Sequence, residues 1–305
     1  MNAELLMFYN VENFFPPDGD SVTDQNSGLR NWDSYKYRQK VRNITNVFRF
    51  VAQDRGQLPS IIGLAEIGDR VVLEDLLKND SPLKDYQILY QKSKDSRGLS
   101  VALLFDPQKY TVLDFRTLKF KKDSDLAFET RDILHAEFQY EGKKIHFFVL
   151  HLPSKREGDI QKKHRLYIIQ QLRKTVRNLC DQGEPIILMG DFNENPDAEE
   201  MQLLLYDTTG KKILTNPFET LYLGGRFTTF HNKKGLGFDQ ILFSEEMLCE
   251  QLNLETNTAD IYDSPILINK TNGHRHYPLR TYSGSRYIGG YSDHFPVLVT
   301  LNRQE

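Results

Sequence analysis

Cysteine is nearly absent: Cys180 and Cys249 are the only two in 305 residues. Two thiols are too few for a disulfide framework and read as buried free thiols, with one bridge as the alternative; neither suggests chemistry. No run of about 18 apolar residues occurs, so no segment reads as a membrane-spanning helix. A long apolar hairpin of the kind that docks on bilayers is missing too. There is no basic excess: 39 Lys and Arg stand against 42 Asp and Glu, for a net charge of -3 and a pI near 6.3. Avid, nonspecific nucleic-acid binding through bulk charge is thereby not implied, while local patches remain open. A strand-like segment begins almost at once, which leaves no room for a signal peptide; the expectation is a soluble protein, exported only if a leader has been trimmed from it.

Hydrophobic content of 39% and charged content of 27% are ordinary for a globular chain, and the length admits one large α/β domain or two small ones. Residues 186–194 read Ile-Ile-Leu-Met-Gly-Asp-Phe-Asn-Glu. Four apolar residues predict a buried strand, Gly190 a tight bend, and Asp191 and Asn193, two apart, point the same way if the chain stays extended. The plain alternative is a turn leading to a helix begun by Pro196.

The same pattern, an apolar run closing on polar groups, recurs. Residues 4–9 lead into Asn10-Val11-Glu12-Asn13, where a turn is the competing explanation. Residues 61–65 end at Glu66, a carboxylate that needs either a basic partner or a metal ion. Residues 145–150 run into His151-Leu152-Pro153-Ser154-Lys155-Arg156. An imidazole, a hydroxyl and two cations on one loop suit a phosphate, although a lone His after a strand also serves structurally. Asp239 interrupts the apolar stretch 237–243, and Ser292-Asp293-His294 precedes a last strand ending at Leu301.

The remaining chain supplies a frame. A loop rich in Asp, Gly, Pro, Ser and Asn runs through Asn31. Tyr37, Val41, Ile44, Val47, Phe48 and Val51 predict an amphipathic helix over 33–54 with a solvated basic face. A short helix is expected at 71–78, then strand-like segments at 86–91, 99–105, 110–118, 133–140 and 144–150, read as a β-rich meander with turns at Asp106-Pro107 and Glu141-Gly142. Ser96-Arg97-Gly98 reads as a basic loop tip. Further helices are expected at 159–180, with His164 and Arg165 as surface or packing residues, and at 197–205; a strand is expected at 227–230. Residues 258–290 lack periodicity and read as a long site-shaping loop, its His274 and His276 incidental.

Separate strand ends thus present Asn10 with Glu12, Glu66, His151, Asp191 with Asn193, Asp239, and Asp293 with His294. Carboxylates and amides without clustered Cys favour a hard cation, Mg²⁺ or Mn²⁺ with Ca²⁺ as a further candidate, over structural zinc. Such a set suits phosphoester hydrolysis: a metal polarises the phosphoryl oxygen, an Asp/His pair handles protons, and amides position the nucleophile.

Taken in order, Asn-Val-Glu, Ile-Gly-Leu-Ala-Glu, His-Leu-Pro-Ser, Gly-Asp-Phe-Asn, Phe-Asp-Gln-Ile-Leu and Ser-Asp-His-Phe-Pro-Val resemble the endonuclease/exonuclease/phosphatase superfamily, whose members include pancreatic deoxyribonuclease, abasic-site endonucleases, sphingomyelinases and inositol-polyphosphate phosphatases. The likeness runs from Asn10 to Val297. It implies one domain over 1–305, an α/β four-layer sandwich of two mixed β-sheets flanked by helices, with the site where strand ends meet. On this resemblance Glu66 is the metal-binding Glu, with Asn10 and Asp293 as metal-side groups and Glu12 where some members carry an Asp. Asp191 orients or deprotonates the attacking water, and Asn193 holds the phosphate or transition state, with Asn10 and Lys155 as further phosphate contacts. His294, paired with Asp239, binds the phosphoryl oxygen; His151 protonates the leaving oxygen. The implied reaction is in-line water attack on phosphorus by a metal-dependent phosphodiesterase or nuclease acting on nucleic acid or a nucleotide-like ester. A phosphatase or sphingomyelinase-like enzyme of the same superfamily, and a catalytically silent binding member, are the alternatives. Gln240 stands where inositol-polyphosphate phosphatases carry an Arg, which argues against that subfamily. The acid that orients the leaving-group His in deoxyribonuclease-like members has no counterpart near Leu99 and Ser100.

Overall fold

Strand β1 (Ala3–Phe14) is buried along nearly its whole length because it is paired on both sides: antiparallel to β16 (Val297–Arg303) and parallel to β2 (Ile61–Ile67). A parallel neighbour requires a crossover, and α1 (Ser34–Arg55) makes it. Its start is fixed by Asp33, whose carboxylate accepts from Lys36 N at 2.9 Å, and its end by Gly56 at φ 73°, a left-handed turn that a side chain would strain. The computed structural model describes residues 3–19, 29–78, 80–120, 130–155, 159–244, 254–271 and 276–303.

The first sheet runs β13 (Leu254–Ile261), β16, β1, β2, β4 (Ser100–Phe105), β3 (Gln87–Tyr90). The second runs β5 (Tyr110–Leu118), β6 (Ile133–Tyr140), β7 (Lys143–His151), β8 (Ile186–Asp191), β12 (Asp239–Ser244), β9 (Leu214–Thr215). Each contains one parallel pair, β1–β2 and β7–β8, the second joined by α3 (Lys162–Cys180). In each, the second strand of the pair is flanked by an antiparallel strand that comes later in the chain, β4 beside β2 and β12 beside β8. The two halves are therefore built alike.

One apolar core joins Ile44, Val47, Phe48 and Val51 of α1 to the first sheet and continues to Phe138, Phe147, Val149, Met189 and Ile241 on the inner face of the second. Another lies beyond the second sheet, where Phe148, Leu150 and Leu188 meet Ile169, Leu172 and Val176 of α3. Helix, sheet, sheet, helix make four layers. The short helices α2 (Arg70–Leu76), α4 (Glu199–Leu205) and α5 (Phe218–Leu223) and the hairpins β10–β11 (Thr229–His231, Lys234–Leu236) and β14–β15 (Tyr282–Ser283, Arg286–Tyr287) decorate this frame.

Several expectations change. The middle segments are not one meander: β3 and β4 belong to the first sheet and β5 to β7 to the second, so the turn at Asp106-Pro107 carries the chain between sheets. β1 does not stop at Tyr9 but continues through a register shift to Phe14. Part of the expected loop 258–290 is strand β13, paired with β16. The helix expected from Pro196 starts at Glu199. Lys40 and Arg165, read as solvated or ordinary, are almost wholly buried. Cys180 is half-buried with Sγ 3.9 Å from the Ile213 carbonyl, while Arg156, Cys249 and His274 lie outside the described residues. His276 is exposed.

Gly190 is not a bend. It sits in the β8 ladder opposite Leu150 on β7, where an added Cβ meets the Leu150 carbonyl oxygen at 2.4 Å. Backbone cannot yield as a flexible side chain does, so Gly190→Ala is expected to destabilise by about 1–3 kcal/mol, read as a lower urea midpoint at unchanged m.

Candidate active site

The C-terminal ends of β1, β2, β7 and β8 and the N-terminal ends of β12 and β16 bring their polar groups together. Two hydrogen bonds stitch the halves. Asn10 Nδ2 of β1 donates to Asp191 Oδ2 of β8 at 3.0 Å, and His294, just before β16, has Nδ1 2.6 Å from Asp239 Oδ2 of β12. The Asp191 carboxylate lies between two imidazoles, its Oδ2 3.5 Å from His151 Nε2 and 3.9 Å from His294 Nε2. Ser292 Oγ braces the arrangement by donating to Asn10 O at 2.6 Å and accepting from His294 N at 3.2 Å.

Backbone strain sets several of these groups. Glu12, Asn13, Glu66 and Asn193 adopt φ of 54°, 44°, 65° and 50°, a left-handed region costly for side-chain-bearing residues and common where structure serves a site. Asn193 N donates to Asp191 Oδ1 at 2.9 Å, so a tight turn, rather than the extended spacing expected from the sequence, brings the two together. Asn193 Nδ2 donates to Leu152 O at 2.9 Å, tying this turn to the end of β7.

On the other half, Glu66 Oε2 accepts from Asn13 N at 2.7 Å. The Glu66 side chain is nearly buried and has no ion-pair partner among the described residues, which removes the salt-bridge explanation for its position. Glu12 turns away, accepting from Thr281 N at 2.6 Å; Asp293 accepts from Arg280 Nη2 at 2.5 Å, and Arg280 Nε lies 3.8 Å from Glu12 Oε1. Lys155 is held in an ion pair with the buried Glu194, its Nζ 5.9 Å from the centre of the Phe238 ring. Of the residues singled out in the sequence, Asn10, His151, Asp191, Asn193, Asp239 and His294 form one connected cluster; Glu66, Glu12 and Asp293 ring it on the β1–β2–β16 side.

Three cations were missed. Arg131 Nη1, just ahead of β6, lies 2.9 and 2.8 Å from the two ring nitrogens of His151, with Arg131 Nε 3.7 Å from Asp95. A guanidinium therefore occupies the place where an acid was sought beside His151. The only signal was the polar triplet Thr130-Arg131-Asp132, two of its residues charged, abutting a buried strand. Arg280 bridges Asp293 and Glu12, and Lys40 Nζ donates to Thr281 Oγ1 and Tyr291 O, both at 2.6 Å, beneath the acids.

Proton affinities follow this crowding. Burial, then the neighbouring Asp239 carboxylate, pushes Asp191 up to about 7, opposed by His294. Burial would discharge His294, yet Asp239, Asp191 and Asp293 outweigh it and hold the imidazole well above its ordinary value. Burial followed by Asp293 raises Glu12 to about 7; burial lowers Lys40 to about 8 against the pull of Glu12, Asp293 and Glu66. An acid poised near neutrality beside an imidazole whose proton affinity is raised is suited to taking a proton from water while a developing anion is neutralised.

A four-layer α/β sandwich with acids, amides and imidazoles at the joined strand ends defines a phosphoester hydrolase of the deoxyribonuclease I-like type. The profile of the endonuclease/exonuclease/phosphatase family matches residues 5–303, and the chain belongs to that family, whose enzymes cleave phosphate esters. No curated protein sequence matches it. Among solved structures it is similar to D. rerio TDP2 complexed with single strand DNA product, at 15% identity and TM-score 0.63 over 99% of this chain and 100% of that one. The human nocturnin catalytic domain with bound sulfate anion gives 15%, 0.62, 99% and 95%. A family protein from Bacteroides thetaiotaomicron gives 17%, 0.61, 100% and 99%. At these identities the likeness shows the fold. Among the described residues, no helix is long and apolar enough to cross a membrane.

Proposed function

We propose that the protein is a divalent-metal-dependent phosphodiesterase that cleaves nucleic acid or a nucleotide-like ester by in-line attack of water on phosphorus. The observation that carries this reading is the Asp191 carboxylate placed between His151 and the Asp239-paired His294. In this reading Asp191 accepts the water proton, its affinity near 7 matching that task. The His294 imidazolium, kept charged by Asp239, neutralises a phosphoryl oxygen as charge grows on it. Asn193 and Asn10 hold the phosphate and fix the Asp191 rotamer. His151 and Arg131 face the leaving oxygen, where the guanidinium supplies positive charge and the imidazole a proton.

The residues fit the hard metal ion the family uses. Glu66 is a carboxylate with little exposure, a strained backbone and no ion-pair partner among the described residues; Lys40, Arg131 and Arg280 act on it only from a distance, and a bound dication would neutralise it directly. Glu66, with Asp293 and the Asn10 amide nearby, would hold Mg²⁺ or Mn²⁺. Bound there, it would act as a Lewis acid on the phosphoryl oxygen. Nucleic acid is favoured by the single strand DNA product in the D. rerio TDP2 structure, and the sulfate on nocturnin is consistent with a site for tetrahedral anions in this fold.

Hydrolysis of bis-p-nitrophenyl phosphate is expected with Mg²⁺ or Mn²⁺ and is expected to vanish in EDTA. Turnover that is absent, or indifferent to chelation, would sink the proposal in favour of a silent binding member. Plasmid DNA, abasic-site DNA, RNA, sphingomyelin and phosphomonoesters assayed side by side then identify the substrate.

A further inference from the structure

On the far face of the second sheet, two histidines and a glutamate converge without any part in the chemistry above. His135 and Glu137 are two apart on β6 and so share a face, and His146 stands directly across from Glu137 on β7. His135 Nε2 lies 2.9 Å from His146 Nδ1, and Glu137 Oε1 lies 3.9 Å from that same His146 nitrogen. One ligand atom from each residue falls within a 4.8 Å span. His146 shares its face with Phe148 and Leu150, which pack on α3, whereas His151 ends the strand on the opposite parity. Five residues of strand separate His146 from His151, about 16 Å.

We propose that His135 Nε2, His146 Nδ1 and Glu137 form a binding site for Zn²⁺ or a similar transition-metal dication, with Glu184 as the carboxylate that orients His146. In the metal-free arrangement one of these nitrogens donates to the other, so binding shifts that proton to an outer ring nitrogen, His135 Nδ1 or His146 Nε2, and parts the rings slightly, to about 3.3 Å, the separation of two nitrogens on one tetrahedral ion. Imidazoles with one carboxylate select Zn²⁺, Co²⁺ or Ni²⁺ over Mg²⁺, the reverse of the oxygen-rich catalytic end. A carboxylate stands nearby to serve as the outer partner: the buried His146 Nε2, which makes no hydrogen bond, lies 3.7 Å from Glu184 Oε2, and a small approach on metal binding would complete the carboxylate–histidine pair that fixes a ligating ring. The His135 ring is locked by stacking on Phe148, centroids 4.1 Å apart at 8°. Rigid ligands on paired strands favour binding because little is left to order.

The competing cations are Arg116 and Lys144. Arg116 Nη2 lies 3.3 Å from Glu137 Oε1 while its Nη1 is bonded to Asp114 at 2.8 Å, so the guanidinium keeps a partner when a metal takes Glu137. Lys144 pairs with the Glu184 oxygen facing away from His146, at 2.8 Å. The ion would clamp β6 to β7 and stands apart from phosphoester cleavage.

The test uses the full chain, stripped with EDTA and titrated with Co²⁺, whose visible bands are intense in tetrahedral and weak in octahedral coordination. One equivalent with intense bands is expected, displaced by Zn²⁺ but not by excess Mg²⁺, retained in Glu66→Gln and lost in His146→Gln. Glu184→Gln is expected to weaken it by about 10- to 100-fold. Glu137→Gln, at a half-exposed position, serves if the His146 variant does not fold. Only weak bands in the parent, intense bands that survive both His146→Gln and Glu137→Gln, or bands lost in Glu66→Gln would each overturn the proposal.

Discussion

Asp191→Asn is expected to lower kcat on a phosphodiester by about 10²–10⁴-fold, the range for a positioned general base, while the protein stays folded. The carboxylate is held by two donors, Asn10 Nδ2 and Asn193 N, and an amide of the same shape keeps one acceptor for them. What it loses is the proton-accepting oxygen between the imidazoles. Asp191 is also buried beside Asp239, which is why its proton affinity climbs to about 7; removing that like charge relieves a repulsion. A fall in kcat with an unchanged or raised urea midpoint is the expected pair of results. An equal loss of both would mean that Asp191 serves the fold and not the reaction.

The second large effect is structural. Arg165→Met is expected to destabilise by about 3 kcal/mol or more, because breaking a buried pair strands its acid. Arg165 is fully buried; Nε donates to Glu194 Oε1 at 2.8 Å, Nη2 reaches Asp159 at 2.7 Å, and Nη1 donates to Pro153 O at 3.2 Å. This one side chain binds the loop after β7 and the start of α3 to the residue after Asn193. Glu194, buried as well, keeps Lys155 in the variant, which places the effect near the lower end of the range for such losses. Arg165→Met with Glu194→Gln is expected to lose less than the single change, since no unpaired charge is left behind. Urea unfolding of the four proteins gives the coupling directly; strict additivity would rule out the pair as the cause.

The site's acids and imidazoles were legible because they border apolar runs: β1, β2, β7 and β8 read as buried strands with polar endings, and Asp239 and His294 stand at or before the starts of β12 and β16. The balancing cations were not. Lys40 and Arg165 lie on amphipathic helices, where charge ordinarily marks solvent, and the acids that hold them down, Glu12 and Glu194, come from distant segments. Which sheet a strand joins was hidden too, since alternation along 86–118 is the same whether β4 pairs with β2 or with β5. The end of β13 escaped because an edge strand needs only one apolar face, and Thr258 and Asp260 read as loop. Gly190 was noticed and misread: its missing side chain serves a close approach of two backbones, a demand visible only when Leu150 is seen beside it.

The matching halves have a biological corollary. Asn10, Glu66 and His294 hang on one sheet, Asp191, Asn193 and Asp239 on the other, and the contacts joining them, Asn10 to Asp191 and His294 to Asp239, exist only when the sheets are pressed face to face. A phosphoester hydrolase assembled in this way is incomplete while either half is missing. Here a nascent or damaged chain with only one half in order holds an incomplete set of reactive groups, so maturation of the interior and arming of the blade are a single event.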